Sequence, residues 1–421
     1  MPSHPRSAIP FAIVAVVFAT HFAGLITSYD SVWSIPTARS ILREGNTDLE
    51  EYRARIESDR SNDYRMEIID GRYYTILPIG PSLLALPVVL VLDAAGRHVS
   101  DGKIEKLVAS FLIALAAMVM YLVGRFALSV PRALLLSFVF AYCTPAWSLA
   151  SRGLWQHGPA MLMFTLALWI VLAAGRRPWV IQFASLPLAF AYVVRPTSAL
   201  SIMALSLVVL LHHRRFFTRY TLWSLPIAIP FLLFNLAVYH SWHSSYYSIK
   251  RIGYGASMWE ALAANLVSPN RSLFVFSPIL LLAIYGAWLK LRRDRTPLDC
   301  ALAAVIVLHW LLISSYLPWD GGHTYGNRHF SEIVPYFMYF LIPVIAALPD
   351  PRRLRRPALT LAFVSLVLIS FAIHYRGAYR RVVWNWNTEP TDVSSDLARV
   401  WDWRDLQLLR GFLGAGGRPT P

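Results

Sequence analysis

The sequence predicts an all-α, polytopic membrane protein. Of its 421 residues, 56% are hydrophobic and only 15% are charged, which lies outside the usual range of soluble domains. Apolar segments long enough to cross a bilayer recur along most of the chain. Short basic clusters separate many of these segments, as in the cytoplasmic loops of membrane proteins. These clusters also account for the net charge of +15, so the charge does not indicate a nucleic-acid partner.

Eleven of the apolar segments are predicted to be membrane-spanning helices. The first has no small-residue cleavage site, so we expect it to be retained rather than removed as a signal peptide. The predicted spans are 8–27, 105–124, 133–149, 157–174, 179–194, 196–212, 221–239, 275–291, 299–316, 332–348 and 358–375.

The basic clusters predict the orientation of these spans in the inner (plasma) membrane. The N-terminus is expected to be cytoplasmic and the C-terminus extracytoplasmic. This pattern holds if the following clusters are all cytoplasmic: 176–177, 214–219, 290–295 and 352–356.

One apolar stretch, 75–93, does not fit the alternation, because both of its ends would lie outside. It contains Pro78, Pro81 and Pro87, which kink or break helices. We therefore expect a re-entrant or surface-lying segment. The alternative is that 75–93 crosses the membrane and a neighbouring span is fused or reoriented.

Most of the polar sequence is predicted to be extracytoplasmic. We divide the chain into a transmembrane domain (1–375), whose large outer loop covers 28–104, and a C-terminal tail (376–421). Residues 28–74 and the tail together hold 15 of the 24 acidic residues. The acids from Glu44 to Asp70 alternate with arginines and predict a solvated helical hairpin. Polar loops gathered on one side of a membrane indicate a functional site there.

Asp30 is the candidate catalytic residue, because it stands where the first span meets the outer interface. Trp33 beside it suits that depth. Ser34-Ile35-Pro36 then begins a short helix, with proline near its start as expected. That helix is predicted to have opposite apolar and basic faces, formed by Ile35, Ala38, Ile41 and Leu42 and by Arg39 and Arg43. Asp30 either caps this helix or serves as a base that accepts a proton from a hydroxyl group.

Three arginines are candidates for binding a phosphate group. Arg271 precedes an apolar span, Arg328 lies in the polar stretch 318–335, and Arg195 stands between two apolar runs. Arginine matches phosphate oxygens well and stays charged when partly buried, and an ionisable residue between apolar runs is a functional hypothesis. The alternative for Arg271 and Arg328 is ordinary snorkelling at the interface.

Further candidate binding residues lie in the other outer segments. His157 begins a predicted span and is either a proton donor, a ligand or a polar group without a special role. The paired tyrosines that include Tyr74 precede the proline-rich stretch. Residues 318–335 contain three glycines that allow tight turns, Gly321, Gly322 and Gly326, together with the candidates Asp320, His323 and Tyr325. The Asp and His residues there could bind a divalent cation, although no spacing requires one.

Several of these motifs together resemble a known family. A first span that ends in an acid, an amphipathic surface helix and the segment "YYTILPIGPSLLALP" resemble the GT-C superfamily of membrane glycosyltransferases. The nearest parallels are the protein O-mannosyltransferases and the aminoarabinose transferases. The segments "SPNRSLFVFSP", "WDGGHTYGNRHF" and "ARVWDWRDLQLLRGF" look like a bacterial branch of that superfamily.

The resemblance implies a polyprenyl-phosphate-linked sugar donor and transfer with inversion on the outer face. The acceptor would be a hydroxyl of a lipid, a glycan or a protein. Asp30 takes the place of the family's general base, and Arg271 and Arg328, then Arg195, those of the cation that holds the leaving phosphate. Asp30 is a single acid where relatives often show a pair, and His157 stands where related enzymes commonly have an aspartate or glutamate. Both departures weaken the case for a bound metal.

Two other classes of protein remain open at this point. One is a transporter or flippase of an anionic lipid-linked substrate. A transporter should have polar residues or broken helices near the membrane midplane, whereas the polar clusters here gather at the outer rim. The other is a non-catalytic scaffold, which would leave Arg195, Arg271 and Arg328 unexplained.

Overall fold

The structure, a computed structural model, describes residues 8–27, 30–59, 64–248, 252, 256–293, 295–316, 318–349 and 357–412. The basic cluster at 352–356 and the last residues of the predicted tail, 413–421, lie outside the described residues. Within the described part the protein is helical apart from one two-stranded sheet.

The helices follow the predicted spans closely, and each of the eleven spans contains one. In chain order the helices are α1 (Ile9–Phe22), α2 (Ser34–Arg43), α3 (Arg53–Glu57), α4 (Gly80–Ala94), α5 (Asp101–Gly124), α6 (Val130–Tyr142), α7 (His157–Ala174), α8 (Ser185–Val194), α9 (Ala199–His212), α10 (Phe217–Tyr239), α11 (Ala256–Val267), α12 (Leu273–Phe276), α13 (Leu280–Arg293), α14 (Pro297–Ser314), α15 (Val334–Ala347), α16 (Pro357–Tyr379) and α17 (Val382–Asn385).

Six helical segments among the described residues are long and apolar enough to cross a membrane. They are Asp101–Gly124, His157–Ala174, Arg214–Tyr239, Pro297–Ser314, Arg328–Ala347 and Pro357–Tyr379. Shorter apolar helices accompany them, including α1, α4 and α6. The predicted class, an all-α polytopic membrane protein, is confirmed.

The core of the bundle is built on α5, which packs against α1, α6 and α7. Its inward positions include Ala109, Ala114, Ala116 and Ala117, all fully buried. Small residues at such positions let helix backbones approach closely, which is the main source of attraction between helices in lipid. A small residue also allows α13 and α15 to approach closely, at Gly286.

The first outer loop differs from its prediction. Strands β1 (Met66–Ile69) and β2 (Arg72–Thr75) form an antiparallel hairpin. Its turn is Asp70-Gly71, with φ of 51° and 77°. Positive φ at both central residues is the geometry that Asp-Gly favours in two-residue hairpin loops. The expected helical hairpin is therefore wrong, since only α3 and a 3₁₀ turn at Glu50–Tyr52 are helical between residues 44 and 70 of the described chain.

Helix α2 is amphipathic, but its faces are not those predicted. Ile35 and Ala38 are fully buried as expected, whereas Leu42 is exposed. Arg39 pairs with Asp101, at the start of α5, rather than facing solvent alone. The helix packs against α4 and α5, so it connects the outer loop to the bundle.

The proline-rich stretch 75–93 forms α4, which continues through Pro87. Its start packs tightly on α8, because a Cβ on Gly80 would lie 2.9 Å from the Cα of Val194. Near its other end, Asp93 accepts hydrogen bonds from Arg43 of α2 at 2.7 and 3.0 Å. That the stretch lies at the surface or re-enters, rather than crossing, stays a prediction.

The contact between α13 and α15 gives a test of the packing. A Cβ on Gly286 would lie 1.8 Å from the carbonyl oxygen of Phe340. We expect Gly286→Ala to push the helices apart and to lower the free energy of unfolding by about 1–3 kcal/mol, as overpacking does. Thermal unfolding in detergent would measure this. Gly102→Ala is the control, because its Cβ would meet only Ile26, at 3.5 Å; an equal loss in both variants would contradict the prediction.

Candidate active site

A cavity of about 180 Å³ opens at the end of the bundle where α7 begins and α8 ends. The segments that reach it come from the first outer loop, from the turns before α7 and after α8, and from the loops before α11 and α15. The residues that line it are Asp30, Ser31, Ser34, Tyr64, Ile76, Leu77, Pro78, Pro81, Leu154, Trp155, Gln156, His157, Arg195, Tyr246, Tyr316, Pro318, Arg328 and His329.

Asp30 stands on a turn that is fixed from two sides. The Ser31 hydroxyl donates to the buried carboxylate of Glu105 on α5. Trp33 is 1% exposed and packs with Leu49 of the outer loop. The residue before α2 is Trp33, and α2 has no side-chain cap. Asp30 therefore does not cap the helix, and its carboxylate turns to the cavity instead.

The Asp30 carboxylate has a partner on each oxygen. Arg328 Nη1 contacts Oδ2 as an ion pair, and the Tyr64 hydroxyl donates to Oδ1 at 3.2 Å. Burial raises the pKa of Asp30. The charges of Arg328 and Arg65 and the two hydrogen bonds together lower the pKa by more than burial raises it, so the net shift is downward. Asp30 is consequently ionised at neutral pH.

Arg328 is held at the start of a 3₁₀ turn, Arg328–Ile333, that leads into α15. Gly326, just before it, has a φ of 68° and packs against the Phe276 ring, where a Cβ would lie 2.8 and 2.9 Å from two ring atoms. The three glycines of this loop all have positive φ, which suits the tight turns expected there. The Arg328 guanidinium lies over the Trp155 ring, 5.1 Å from its centroid, which stabilises a cation at the cavity wall.

Arg195 approaches the same cavity from the break between α8 and α9. It has an extended backbone, as a residue before proline prefers, and Pro196 follows. Its Nε pairs with Glu332, whose side chain is fully buried. Nη1 lies 3.5 Å from His157 Nε2 and Nη2 lies 3.2 Å from His329 Nδ1. The Nε side of the guanidinium is thus held by the Glu332 carboxylate, and its two Nη groups lie beside imidazole rings.

Four of the predicted site residues therefore come together at the cavity: Asp30, Arg328, Arg195 and His157. Their positions in the chain are far apart, and the bundle brings four separate segments to one point: the loop before α2, the start of α7, the break between α8 and α9, and the loop before α15. The other predicted residues lie elsewhere.

Arg271 is not at the cavity. It is fully buried and donates to four neutral acceptors, on Asn270, Gln407, Gly322 and Asn387. Its guanidinium also lies over the Trp386 ring, 4.9 Å from the centroid. These contacts tie the loop before α12 to the C-terminal tail. The structure thus places Arg271 in a network between two segments and away from the cavity, where it was expected to meet a phosphate.

The remaining four candidates are also placed away from the cavity. Tyr74 lines an apolar groove beside α10, and Tyr325 is buried and donates to the carbonyl of Ile373 at 3.0 Å. Asp320 accepts from the amide of Gly322 at 2.9 Å, which closes a turn. His323 lies 2.9 Å from Asp392 in the tail. Asp320, His323 and Tyr325 therefore make their contacts in the segments that surround the site rather than in its walls.

Sequence reasoning missed several residues that build the site. Tyr64, Trp155, Gln156, Tyr246 and Tyr316 line the cavity, and Glu332 anchors Arg195 behind it. The one available signal was composition, because aromatic and polar residues stand next to the predicted turns. Nothing in the spacing distinguishes Tyr64 from its neighbours.

The described residues of the cavity do not fit a divalent cation. Asp30 is the one carboxylate among the lining residues, and Arg328 already contacts it. Across the described chain, no group of three or more His, Cys, Asp or Glu side chains converges in a way that could hold a metal ion. Ca²⁺ takes about six to eight oxygen ligands, and Mg²⁺ is held by one or two carboxylates with waters and phosphates, so a single carboxylate already paired with an arginine is a poor set of protein ligands for either ion.

The chain matches no protein-family model and no curated protein sequence. It is, however, similar in structure to solved membrane proteins. ArnT from Cupriavidus metallidurans bound to undecaprenyl phosphate gives a TM-score of 0.58 at 13% identity, over 91% of this chain and 65% of that chain. The apo form of that ArnT gives 0.57 at 12% identity, over 94% of this chain and 81% of that chain.

A second group of similar structures is archaeal. The oligosaccharyltransferase AglB from Archaeoglobus fulgidus, in complex with an inhibitory peptide and a dolichol-phosphate, gives a TM-score of 0.55 at 11% identity. That match covers 97% of this chain and 61% of that chain, so this chain spans about three fifths of the archaeal protein's length. At these identities the similarity shows the fold. The chain shares the polytopic helical fold of ArnT and AglB, which is the fold that the sequence predicts.

The structural role of Arg271 can be tested directly. Arg271→Gln leaves several buried acceptors without a donor, and each such group costs about 1–3 kcal/mol. We expect a marked drop in the thermal unfolding temperature in detergent. Arg404→Gln, an exposed arginine of the same tail, should leave that temperature unchanged; an unaltered temperature in the Arg271 variant would contradict this role.

Proposed function

We propose that the protein is a membrane glycosyltransferase that transfers a sugar from a polyprenyl-phosphate donor to an acceptor hydroxyl. The observation that carries the proposal is the cavity in which the ionised Asp30 and the cations Arg328 and Arg195 meet. A carboxylate and two arginines supply a base for the acceptor and charge for a leaving phosphate. The fold is that of proteins solved with undecaprenyl phosphate and with dolichol-phosphate, which supports a lipid-phosphate donor here.

The proposed reaction is a direct displacement at the anomeric carbon. The acceptor oxygen attacks that carbon while Asp30 accepts the hydroxyl proton, and the bond from the anomeric carbon to the phosphate oxygen breaks. The lipid phosphate leaves with one more negative charge than it had in the donor. A single displacement inverts the anomeric configuration. No step requires a metal.

Arg328 is proposed to exchange partners when the donor binds. Without donor, both Asp30 oxygens are occupied, Oδ2 by Arg328 and Oδ1 by Tyr64. A phosphate brought into the cavity competes with Asp30 for the guanidinium, because arginine binds phosphate oxygens at least as well as a carboxylate. Oδ2 then becomes free to accept the proton, and the loss of the adjacent cation raises its basicity.

Arg195 is proposed to be the fixed cation of the pair. Glu332 holds its Nε edge, so the guanidinium cannot swing as Arg328 can. Among the described residues, the partners of its Nη groups are the imidazole nitrogens of His157 and His329. A phosphate oxygen is a stronger acceptor than a neutral imidazole, so His157 and His329 would give way to it.

The site is proposed to work at the extracytoplasmic face of the inner membrane, with the N-terminus in the cytoplasm. The charge pattern of the loops supports this orientation. The acceptor class, whether lipid, glycan or protein, is left to the experiment below, in which each class can be supplied in turn.

The base is tested with Asp30→Asn in membranes supplied with a polyprenyl-phosphate sugar. We expect transfer to fall by roughly 10²–10⁴-fold, the usual contribution of a general base. Binding of undecaprenyl phosphate should be retained or become tighter, because Asp30 no longer competes for Arg328. Radiolabelled sugar transfer and lipid binding in nanodiscs would measure the two effects separately.

Asp48→Asn is the matched control, since Asp48 is a buried carboxylate paired with an arginine, Arg72, outside the cavity. It should leave both readouts unchanged. Full transfer in Asp30→Asn would reject the base assignment. A wild-type protein that moves the lipid across vesicles but transfers no sugar would support the transporter alternative instead.

The role of Arg328 predicts a shift in pH dependence. Asp30 must be ionised to act, so transfer is lost as the pH falls through its pKa. Arg328 lowers that pKa in the free protein while burial raises it, so Arg328→Gln should move the acid limb of the profile of kcat/KM against pH, which reports groups of the free enzyme, to higher pH. It should also weaken undecaprenyl phosphate binding. Arg43→Gln, which breaks the exposed pair with Asp93, should do neither; an unmoved acid limb in Arg328→Gln would contradict the pairing.

A further inference from the structure

Tyr64 is the second partner of the Asp30 carboxylate and is not part of the chemistry described so far. Its hydroxyl lies 3.2 Å from Oδ1 of Asp30 and 2.8 Å from Nε of Arg65. The Arg65 guanidinium also lies over the Tyr64 ring, 4.6 Å from the centroid. Tyr64 lines the cavity from its outer side, and 53% of the residue is exposed.

The direction of the Tyr64 hydrogen bonds is fixed by the chemistry of its neighbours. Arginine nitrogens are donors only, so the phenol oxygen must accept from Arg65. An ionised carboxylate is an acceptor only, so the phenol must give its own proton to Asp30. The chain Arg65 to Tyr64 to Asp30 therefore carries one consistent set of donors and acceptors, and it holds Oδ1 while leaving Oδ2 to Arg328.

Arg65 is itself fixed by the β-hairpin. It directly precedes β1 and is 4% exposed. Its carbonyl accepts from the amide of Ile76 at 2.9 Å and from the Thr75 hydroxyl at 3.3 Å. The hairpin register, with Met66 opposite Thr75, sets this placement. The hairpin thus places Arg65, and through its hydrogen bond Tyr64, beside Asp30.

We propose that Tyr64 is the positioning residue for Asp30, and that Arg65 and the β-hairpin hold it in place for this purpose. The inference rests on the proposed function. When Arg328 turns to the donor phosphate, Asp30 loses its strongest partner. The Tyr64 bond to Oδ1 then keeps the carboxylate oriented, so that Oδ2 faces the acceptor hydroxyl. A carboxylate without this bond could rotate on its turn and present the reactive oxygen poorly.

The charged and titratable groups that face Asp30 are Arg328, Arg65, Tyr64 and Tyr246. Of these, Tyr64 can be changed by a single atom without altering any charge. Removal of the Tyr64 hydroxyl leaves Arg328 and Arg65 in place. A change in the behaviour of Asp30 can then be attributed to the lost hydrogen bond.

The chain offers a matched control in the same hairpin. Tyr73 of β2 also donates to a carboxylate, that of Glu57, at 3.2 Å. That pair lies outside the cavity. Tyr64→Phe and Tyr73→Phe therefore remove the same atom from the same kind of bond, one at the site and one away from it.

The test compares the two variants in full-length protein in nanodiscs. For Tyr64→Phe we expect kcat for transfer from a polyprenyl-phosphate sugar to fall roughly ten- to a hundredfold, the effect of one hydrogen bond to a charged group. The acid limb of the kcat–pH profile should move to higher pH, because a bond that lowers the pKa of Asp30 is gone. Undecaprenyl phosphate binding and the thermal unfolding temperature should stay as in the wild type. Tyr73→Phe should change none of these.

A purely structural role would give a different result. Tyr64→Phe with an unchanged kcat and an unmoved acid limb, in a wild type that transfers sugar, would overturn the inference and leave the proposed function standing. If the wild type binds lipid phosphate but transfers no sugar, the proposed function fails. The infrared titration of the Asp30 carboxylate, identified by its loss in Asp30→Asn, then decides the Tyr64 contact: an equal pKa in wild type and Tyr64→Phe rejects it, and a higher pKa in the variant supports it.

Discussion

The ion pair between Asp30 and Arg328 is the contact on which the site depends. It joins residues 298 positions apart, one in the loop between α1 and α2 and one at the start of the 3₁₀ turn that leads into α15. Neither charge is freely solvated, since their side chains are 28% and 19% exposed. Charges in such surroundings must be paired or hydrogen-bonded. The first outer loop, the turn before α7 and the loop before α15 are arranged so that this requirement is met.

The three arginines singled out from the sequence show how burial and partners divide similar residues between roles. Arg195 has a buried carboxylate behind it and imidazoles in front, which orients its charge toward the cavity. Arg328 pairs with the partly exposed carboxylate of Asp30 and lies over the ring of Trp155. Arg271 is surrounded by neutral acceptors, so its hydrogen bonds stabilise loops. The residue type alone therefore did not decide function; the partners did.

The hairpin of the outer loop connects local chemistry to the site. Asp70-Gly71 forms the turn because both residues tolerate positive φ. The turn sets the strand register, the register fixes Arg65, and Arg65 holds Tyr64 against Asp30. Alternating charges in this segment favoured a helix in the sequence analysis, whereas the Asp-Gly pair was the stronger local signal. A tight turn outweighs charge alternation because it fixes two backbone conformations directly.

The sequence by itself determined the membrane class and the helix positions, because hydrophobic length and periodicity are local properties that lipid selects for. It also identified Asp30, Arg195, Arg328 and His157 as charged or polar groups where apolar helices begin or end. Only the tertiary structure decided that these four meet while Arg271, Tyr74, Asp320, His323 and Tyr325 do not. That outcome depends on which loops the packed helices bring together. It also depends on contacts such as Glu332 with Arg195 and Tyr64 with Asp30, between residues far apart in the chain, which no local pattern encodes.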